Sequence, residues 1–288
     1  MIVVNPASGK STYKSKLNYL QKELSIAKVQ YRSFFTEQSH PGVLGKFVKS
    51  HPDIDEIIVM GGDGTLNMVV NEIDPGLHPL SILSNGTGND SVKSLHGILD
   101  FKKQVDIAIH GVTKHFDLGK CNDRYFVNGV GIGFDGEVVK EMFERGKKRG
   151  THFDYLLTVL KILGGFKEKE IQFNLDGLSG QRKVLLITIS NGTTFGGGFI
   201  INPFAKADDG LLDVCIINEI PAIKRFWHVP KLKSGTHTKI KETEFHRATK
   251  ISISETNELF AHLDGEYIGC PPFDISIINK ALRIKVPS

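Results

Sequence analysis

The chain reads as an α/β unit built on a parallel sheet, followed by a mostly β unit, and three observations predict this. In the first third, short apolar runs alternate with stretches of helical period. Each of those runs is followed by a loop rich in glycine, hydroxyls and amides. From His115 onward the apolar runs are short and closely spaced, and turn pairs such as Asp176-Gly177, Asp209-Gly210 and Asp264-Gly265 punctuate them. Alternation of strand and helix implies a parallel sheet between helical layers, whereas closely spaced strands imply an antiparallel β-sandwich. The pattern changes between Lys120 and Val130, which predicts domains of 1–125 and 126–288.

Taken in order, Ile2 to Val4 is a predicted strand, and Leu17, Leu20, Leu24 and Ala27 mark the face of a helix. Val29 to Phe35 is the second strand; Val43, Leu44, Phe47 and Val48 mark the second helix. Ile57 to Met60 is an unbroken apolar run, as in a strand buried on both faces. Leu66, Val69, Val70 and Ile73 then recur at i, i+3, i+4 and i+7 until Pro75-Gly76 stops the helix, and Leu80 to Leu83 is the fourth strand. The β unit is predicted from Phe116 to Lys120, Tyr125 to Ile132, Ile171 to Leu175, Val184 to Ser190, Leu211 to Ile217, Lys250 to Ser254, Leu259 to Leu263, and Ile275 to Ile284 with a turn at Asn279-Lys280. One helix is expected to interrupt it, Tyr155 to Leu163, ending at Gly164-Gly165. This helix is apolar nearly all round, so it is either buried or the wall of a greasy cleft.

At 288 residues, with 40% hydrophobic and 24% charged residues, the chain has enough material for two globular domains. The net charge of +4 is small, and no Lys/Arg run with interleaved aromatics points to nucleic acid. The densest basic cluster, Arg145, Lys147, Lys148 and Arg149, suits an anionic membrane surface and equally a solvated helix end. Three scattered cysteines make neither a disulfide framework nor a zinc site, and the histidines show no HExxH spacing. The amino terminus lacks the regions of a signal peptide, and no apolar run reaches the roughly 20 residues of a membrane span. A cytoplasmic protein with peripheral membrane contact at the inner face is therefore expected.

The turn Gly61-Gly62-Asp63-Gly64-Thr65-Leu66-Asn67 lies between the third strand and its helix. Its glycines let the backbone approach a bound group, and the helix start favours an anion. Phosphate is the natural guest, yet the turn has no cation of its own and carries a carboxylate, Asp63, which implies a nucleotide with Mg²⁺. Asn5-Pro6-Ala7-Ser8-Gly9, Thr36-Glu37 and Asn85-Gly86-Thr87-Gly88-Asn89-Asp90 leave the same edge of the predicted sheet, where ligands of such sheets bind. Gly9-Lys10-Ser11 is not a P-loop, because Val4 stands where that motif needs glycine.

The Gly61 turn resembles the GGDGT signature shared by diacylglycerol kinase-type lipid kinases, sphingosine kinases, NAD kinases and phosphofructokinases. Four further stretches resemble the bacterial diacylglycerol kinase-type family in order and spacing. They are Asn5 to Gly9, Gly86 to Asp90, Asn191-Gly192 through Asp213, and Leu263-Asp264-Gly265-Glu266; Ser91 departs from the phenylalanine often found after the second. The resemblance implies an NAD kinase/diacylglycerol kinase-like fold and an ATP- and Mg²⁺-dependent lipid kinase. It assigns ATP to Asn5, Pro6, Ala7, Ser8, Gly9, Thr36, Gly61, Gly62, Asp63, Gly64, Thr65, Leu66, Asn67 and Thr87. It assigns Mg²⁺ and its waters to Asp63, Asp90 and Asp117, although Asp117 reads equally as a strand-end turn residue. A structural Mg²⁺ is implied at the Lys206 and Leu211 carbonyls and the Asp209 carboxylate.

Glu266 is the implied proton acceptor, with Asp264 beside it and the choice between them open. The expected acceptor is diacylglycerol, giving phosphatidic acid, with phosphatidylglycerol, sphingoid bases and other lipid alcohols left open, as is a homodimer. Two rival readings stand: an NAD kinase-like phosphotransferase, and a nucleotide or lipid sensor that binds without catalysis.

Overall fold

The structure, a computed structural model, describes residues 1–9, 12–36, 40–86, 88–97, 99–145, 152–254 and 259–288. It divides into two units: Met1–Leu118 with Asn279–Ser288, and Gly119–Ile278.

In the first unit, β1 (Ile2–Val4), α1 (Tyr13–Ile26), β2 (Ser33–Phe35), α2 (Val43–Lys49), β3 (Ile57–Gly61), α3 (Asp63–Glu72) and β4 (Leu80–Ser84) alternate as expected. The four strands pair in parallel in the order β2-β1-β3-β4. Every residue of β1 and β3 is buried, as their unbroken apolar sequence requires. Two helices that the sequence reading did not separate follow: α4 (Asp90–His96) and α5 (Phe101–His110). Asp100 caps α5 by accepting the Lys103 N–H at 2.9 Å. Val105 and Ala108 of α5 join Leu17, Leu20 and Leu24 of α1 over Ile2, Val4, Ile58 and Met60, forming one core face. On α3, Leu66, Val69 and Val70 are buried, which confirms the helical spacing.

The second unit is an antiparallel β-sandwich entered through β5 (Val112–Cys121). It holds β6 (Arg124–Phe126), β7 (Gly129–Gly133), α6 (Phe134–Glu144), α7 (His152–Gly165), β8 (Lys169–Leu175) and β9 (Leu178–Ser190). Then come β10 (Thr194–Phe195), β11 (Phe199–Ile200), β12 (Leu212–Asn218), α8 (Ala222–Ser234), β13 (Thr243–Ala248), β14 (Lys250–Ile253), β15 (Ala261–Leu263), β16 (Glu266–Gly269) and β17 (Phe273–Val286), whose residues from Asn279 onward belong to the first unit. Strand β9 is the hub: its first half pairs with β8, and its buried second half pairs with β7 and β12. Ile132, Ile187, Ile189, Val214, Phe126 and Phe273 meet in the core beneath. Gly119 allows this closure, since a Cβ there would lie 2.0 Å from the Phe126 ring of the paired strand.

Three predictions need correction. The β region carries three helices, not one. In α6 only Gly136 and Val138 are buried among charged residues, and α8 contains Pro230, so neither shows a clean apolar period. The strand expected from Val29 begins only at Ser33, because Val29 and Tyr31 are exposed. The turn expected at Asn279-Lys280 is instead a kink inside the continuous strand β17, with Lys280 at φ 54°. Past that kink, Ile284 of β17 pairs in parallel with Leu80 of β4. Among the described residues no helix is long and apolar enough to cross a membrane.

A buried ion pair latches the helical side of the second unit. Arg225 on α8 meets Glu168 at 2.6 Å, both nearly inaccessible, and also donates to the carbonyls of Leu163, Phe166 and Ile220. Glu168 in turn accepts the Ile220 N–H at 3.1 Å. Arg225→Met removes the donor from three carbonyls and leaves the buried Glu168 carboxylate with the Ile220 N–H but no cation. It is expected to lower the unfolding free energy by about 3–5 kcal/mol in urea denaturation.

Candidate functional site

Parallel pairing of β1, β3 and β4 brings their following loops side by side. Asn5, just past β1, donates through Nδ2 to Thr65 Oγ1 at 2.8 Å, while its Oδ1 accepts the Ala7 N–H at 3.0 Å. Asn85, just past β4, donates to the Ser8 carbonyl at 2.6 Å and accepts from Lys16 Nζ at 3.0 Å. Gly9 has φ 63°, and a Cβ on it would fall 2.4 Å from Asn85 Oδ1. Gly62 and Gly86 lie back to back: a Cβ on Gly86 would sit 2.8 Å from the Gly62 Cα. Only glycine permits that approach. Lys16, which the sequence reading passed over, lies beneath the loops with its ammonium 4.9 Å from the Phe101 ring centre, and burial lowers its pKa.

These contacts surround the start of α3. Gly62 at its N-cap position provides no side-chain cap, and Gly64 in the first turn is exposed. The Thr65 N–H turns back to the Gly62 carbonyl at 3.0 Å, and the exposed N–H groups of a helix start in general favour an anion. Asn67 and Thr65 are buried behind it, and Thr36 at the end of β2 is half-buried. Thr87, Glu37, Lys10 and Ser11 lie outside the described residues.

The acids are committed in different ways. Both oxygens of Asp63 accept backbone N–H groups, from Asp90 at 3.1 Å and Ser91 at 2.9 Å. Asp63 thereby caps α4, whose own N-cap residue Asn89 has φ 52° and turns its side chain back to Gly86. Asp90 is buried and accepts from Lys93 Nζ at 3.1 Å. Asp117 is fully buried and accepts the Lys280 N–H at 2.8 Å, which fixes the kink in β17.

In the second unit, Asp264 and Gly265 form the tip of the β15–β16 hairpin with φ 49° and 85°, the positive pair that an Asp-Gly hairpin turn requires. The Asp264 carboxylate accepts three backbone N–H groups, from Val127 at 2.8 Å, Asn128 at 3.0 Å and Gly129 at 2.9 Å. Asn191 and Gly192 donate their own N–H groups to the Asn128 carbonyl, so the hairpin tip and the Asn191-Gly192 stretch meet on one short connection. Glu266 faces solvent and pairs with Arg124 at 2.7 Å. His262 accepts the Gly265 N–H at Nδ1, 3.3 Å, and its Nε2 lies 3.4 Å from Asp135, which fits a positioning residue beneath the turn.

At the third predicted place, Asp209 closes its own turn by accepting the Leu211 N–H at 3.2 Å, with Gly210 at φ 77°. Arg247 donates to Asp213 at 3.2 Å and lies 3.9 Å from Asp209. Burial pushes the Asp213 carboxyl upward against the pull of Arg247, and its buried Oδ2 has no hydrogen-bond partner. Lys206 stands in the same loop. Among the described residues no three His, Cys, Asp or Glu side chains form a metal cage. Burial pushes the Cys121 thiol up to about 12 and raises Cys215 and Cys270, so no thiolate nucleophile is available at neutral pH.

Residues 1–121 match the family model described as the diacylglycerol kinase catalytic domain, and residues 128–286 match the YegS C-terminal NAD kinase beta sandwich-like domain. Curated relatives include diacylglycerol kinases of Staphylococcus aureus strains bovine RF122 / ET3-1 and JH9. Each is 30% identical over 290 residues, covering 100% of this chain and 92% of the relative. A solved diacylglycerol kinase structure from Bacillus anthracis str. Sterne superposes with a TM-score of 0.74 at 20% identity, covering 99% of this chain and 95% of that one. A second structure from that organism gives 0.78 at 23% identity with the same coverage. At these identities the solved structures establish the fold.

The two hairpin acids are expected to separate in a stability measurement. Asp264→Asn keeps one acceptor oxygen for Asn128 and Gly129 but turns an amide donor toward the Val127 N–H, lowering the unfolding free energy by about 1–3 kcal/mol. Glu266→Gln removes only an exposed pair, so its melting temperature stays within a degree or two of the parent.

Proposed function

The chain belongs to the diacylglycerol kinase-type lipid kinase family, and on that premise we propose that it moves the γ-phosphoryl group of ATP, with Mg²⁺, to the hydroxyl of diacylglycerol, giving phosphatidic acid. The observation that carries the reading is the junction of Asn5, Gly62 and Asn85-Gly86 around the uncapped start of α3. The residues fit the nucleotide: the Gly62–Gly86 contact keeps side chains out of the space before α3, and helix N–H groups face a phosphate there. They also fit a metal that arrives with its nucleotide, since Mg²⁺ keeps several waters and takes one or two carboxylates. When bound, Mg²⁺ neutralises phosphate charge that Asp63 would otherwise repel.

Within this reading the loops Asn5–Gly9 and Gly61–Asn67 bind the phosphates, while Thr36 and Thr87 complete the pocket. Asp63 acts mainly by holding α4 in place; Asp90 would be the acid on the metal side, while Asp117, fully buried on the Lys280 N–H, would act only by positioning the chain around it. Asp264 fixes the hairpin through three N–H groups and has little capacity left as a base, so the proton of the acceptor hydroxyl passes to Glu266, which Arg124 orients. A second-unit cavity of about 590 Å³ supports a lipid acceptor. Ile162, Phe166 and Phe260 supply its apolar lining, and its polar lining is mixed in charge, Lys161, Lys167 and Lys169 with Glu137 and Glu141. Phe260 lies 6.2 Å from Tyr267, the neighbour of Glu266. The enzyme works at the inner face of the membrane as a peripheral protein.

The test incubates the protein with γ-labelled ATP, Mg²⁺ and diacylglycerol in mixed micelles, beside a tube containing NAD, followed by solvent partition. Label is expected in the organic phase, migrating as phosphatidic acid; label found only on NAD would contradict the assignment. Glu266→Gln is expected to lower kcat by about 10²–10⁴ with the KM for ATP unchanged.

A structural Mg²⁺ would be held by the Lys206 and Leu211 carbonyls and the Asp209 carboxylate, and the unpartnered Oδ2 of nearby Asp213 supports this reading. Saturating Mg²⁺ is then expected to raise the melting temperature of the parent by several degrees, and not that of Asp209→Asn.

A further inference from the structure

Helix α8 has two apolar faces, and only one of them is covered. Arg225, Val229 and Leu232 turn inward, with Arg225 tied to Glu168 and to three carbonyls. On the opposite side Ile223, Phe226, Trp227 and Pro230 recur at i, i+3, i+4 and i+7. Ile223 is 75% exposed, Trp227 78% and Phe226 43%. Lys224 and Lys231, seven residues apart, border this stripe on one side, and Lys233 borders it on the other. The helix contains no Asp or Glu. A helix on a soluble surface ordinarily turns charge outward and apolar residues inward. Here the outermost line is aromatic and aliphatic, and the charges are displaced to its two flanks.

We propose that this face of α8 is a membrane-docking surface for bilayers containing anionic lipid. The composition of the helix selects that occupant. Trp and Phe with flanking lysines match the two layers of a bilayer interface: the rings enter the acyl boundary, and the ammonium groups reach back to phosphate. A second copy of this chain matches poorly, because an isologous contact would set lysine-rimmed stripes against each other with no acid on either helix. The surface also sits beside a relevant element. The Phe226 ring lies against Gly164 of α7, where a Cβ would be 3.4 Å from it. Residues Lys161, Ile162 and Gly165 of the same helix wall the 590 Å³ cavity. Docking through α8 therefore brings that cavity to the bilayer surface. The inference rests on the lipid-kinase reading in that a membrane-borne acceptor gives the docking its purpose.

Trp227 is the single tryptophan of the chain, so its emission reports on this face alone. Vesicles of phosphatidylcholine with phosphatidylglycerol are expected to shift the emission to the blue, and brominated acyl chains to quench it, whereas phosphatidylcholine alone has little effect. Ile223→Asp is expected to weaken vesicle partition about tenfold. Replacing Lys224, Lys231 and Lys233 by glutamate removes the preference for anionic vesicles. Emission that ignores anionic vesicles, or partition unchanged in both variants, would overturn the proposal. So would a blue shift that follows protein concentration without lipid, which would mean that a second copy covers the face. Phosphorylation of a short-chain diacylglycerol dispersed in solution separates this inference from its premise. Ile223→Asp retains that activity, and its absence from the parent would count against the kinase reading while leaving the docking result standing.

Discussion

The first unit depends on one close approach, that of the Gly62 and Gly86 backbones. Strands β3 and β4 are parallel neighbours, so the chain leaves both on the same side and the two exits must share a small space. A Cβ at Gly86 would come within 2.8 Å of the Gly62 Cα and push the exits apart, and one at Gly62 would be tight at 3.2 Å. With none present, Asp63 reaches across to cap α4, Asn85 reaches Ser8, and Asn5 reaches Thr65. Hydrogen bonds thus tie three sheet exits together around one helix start without a side-chain cap, and the proposed phosphate site rests on that arrangement.

The second unit solves a similar problem with a charge. Asp264 gathers the Val127, Asn128 and Gly129 N–H groups, and through them the Asn191-Gly192 segment. A carboxylate holding three donors makes a rigid corner. The neighbouring acid on the same hairpin, Glu266, faces outward against Arg124. Two acids separated by one glycine therefore have different surroundings, one spent on three backbone N–H groups and the other exposed beside Arg124, and the hairpin turn is what divides them.

Much of this was legible in the residues. Unbroken apolar runs gave the buried parallel strands, and the spacing from Leu66 to Val70 gave α3. Asp264-Gly265 declared its turn because that dipeptide tolerates positive φ at both positions. The missed features share a cause: their residues answer to partners far away in the chain. Helix α8 carries apolar residues on both sides, so no single face stands out, and Pro230 looks like a breaker. The Asn279-Lys280 pair reads as a turn because the sequence does not reveal that Asp117 holds the Lys280 N–H inside a continuous strand. For Asp63 the residues suggest an acid near a metal, and the fold adds that both its oxygens also accept N–H groups at the start of α4. Lys16 gave no signal, because its acceptor Asn85 lies 69 residues away. Of the basic cluster, Arg145 is held by Glu141 and Thr158, while Lys147, Lys148 and Arg149 lie outside the described residues.

The most direct test of this account is calorimetric titration of Mg²⁺-ATP into the parent chain and into Gly86→Ala, with urea denaturation of both as the control for folding. If the Gly62–Gly86 contact shapes the phosphate receptor, the added methyl weakens ATP binding about tenfold or more while the second unit keeps its unfolding transition. Equal ATP affinity in the two proteins would contradict it, and would place the nucleotide away from the junction of these loops.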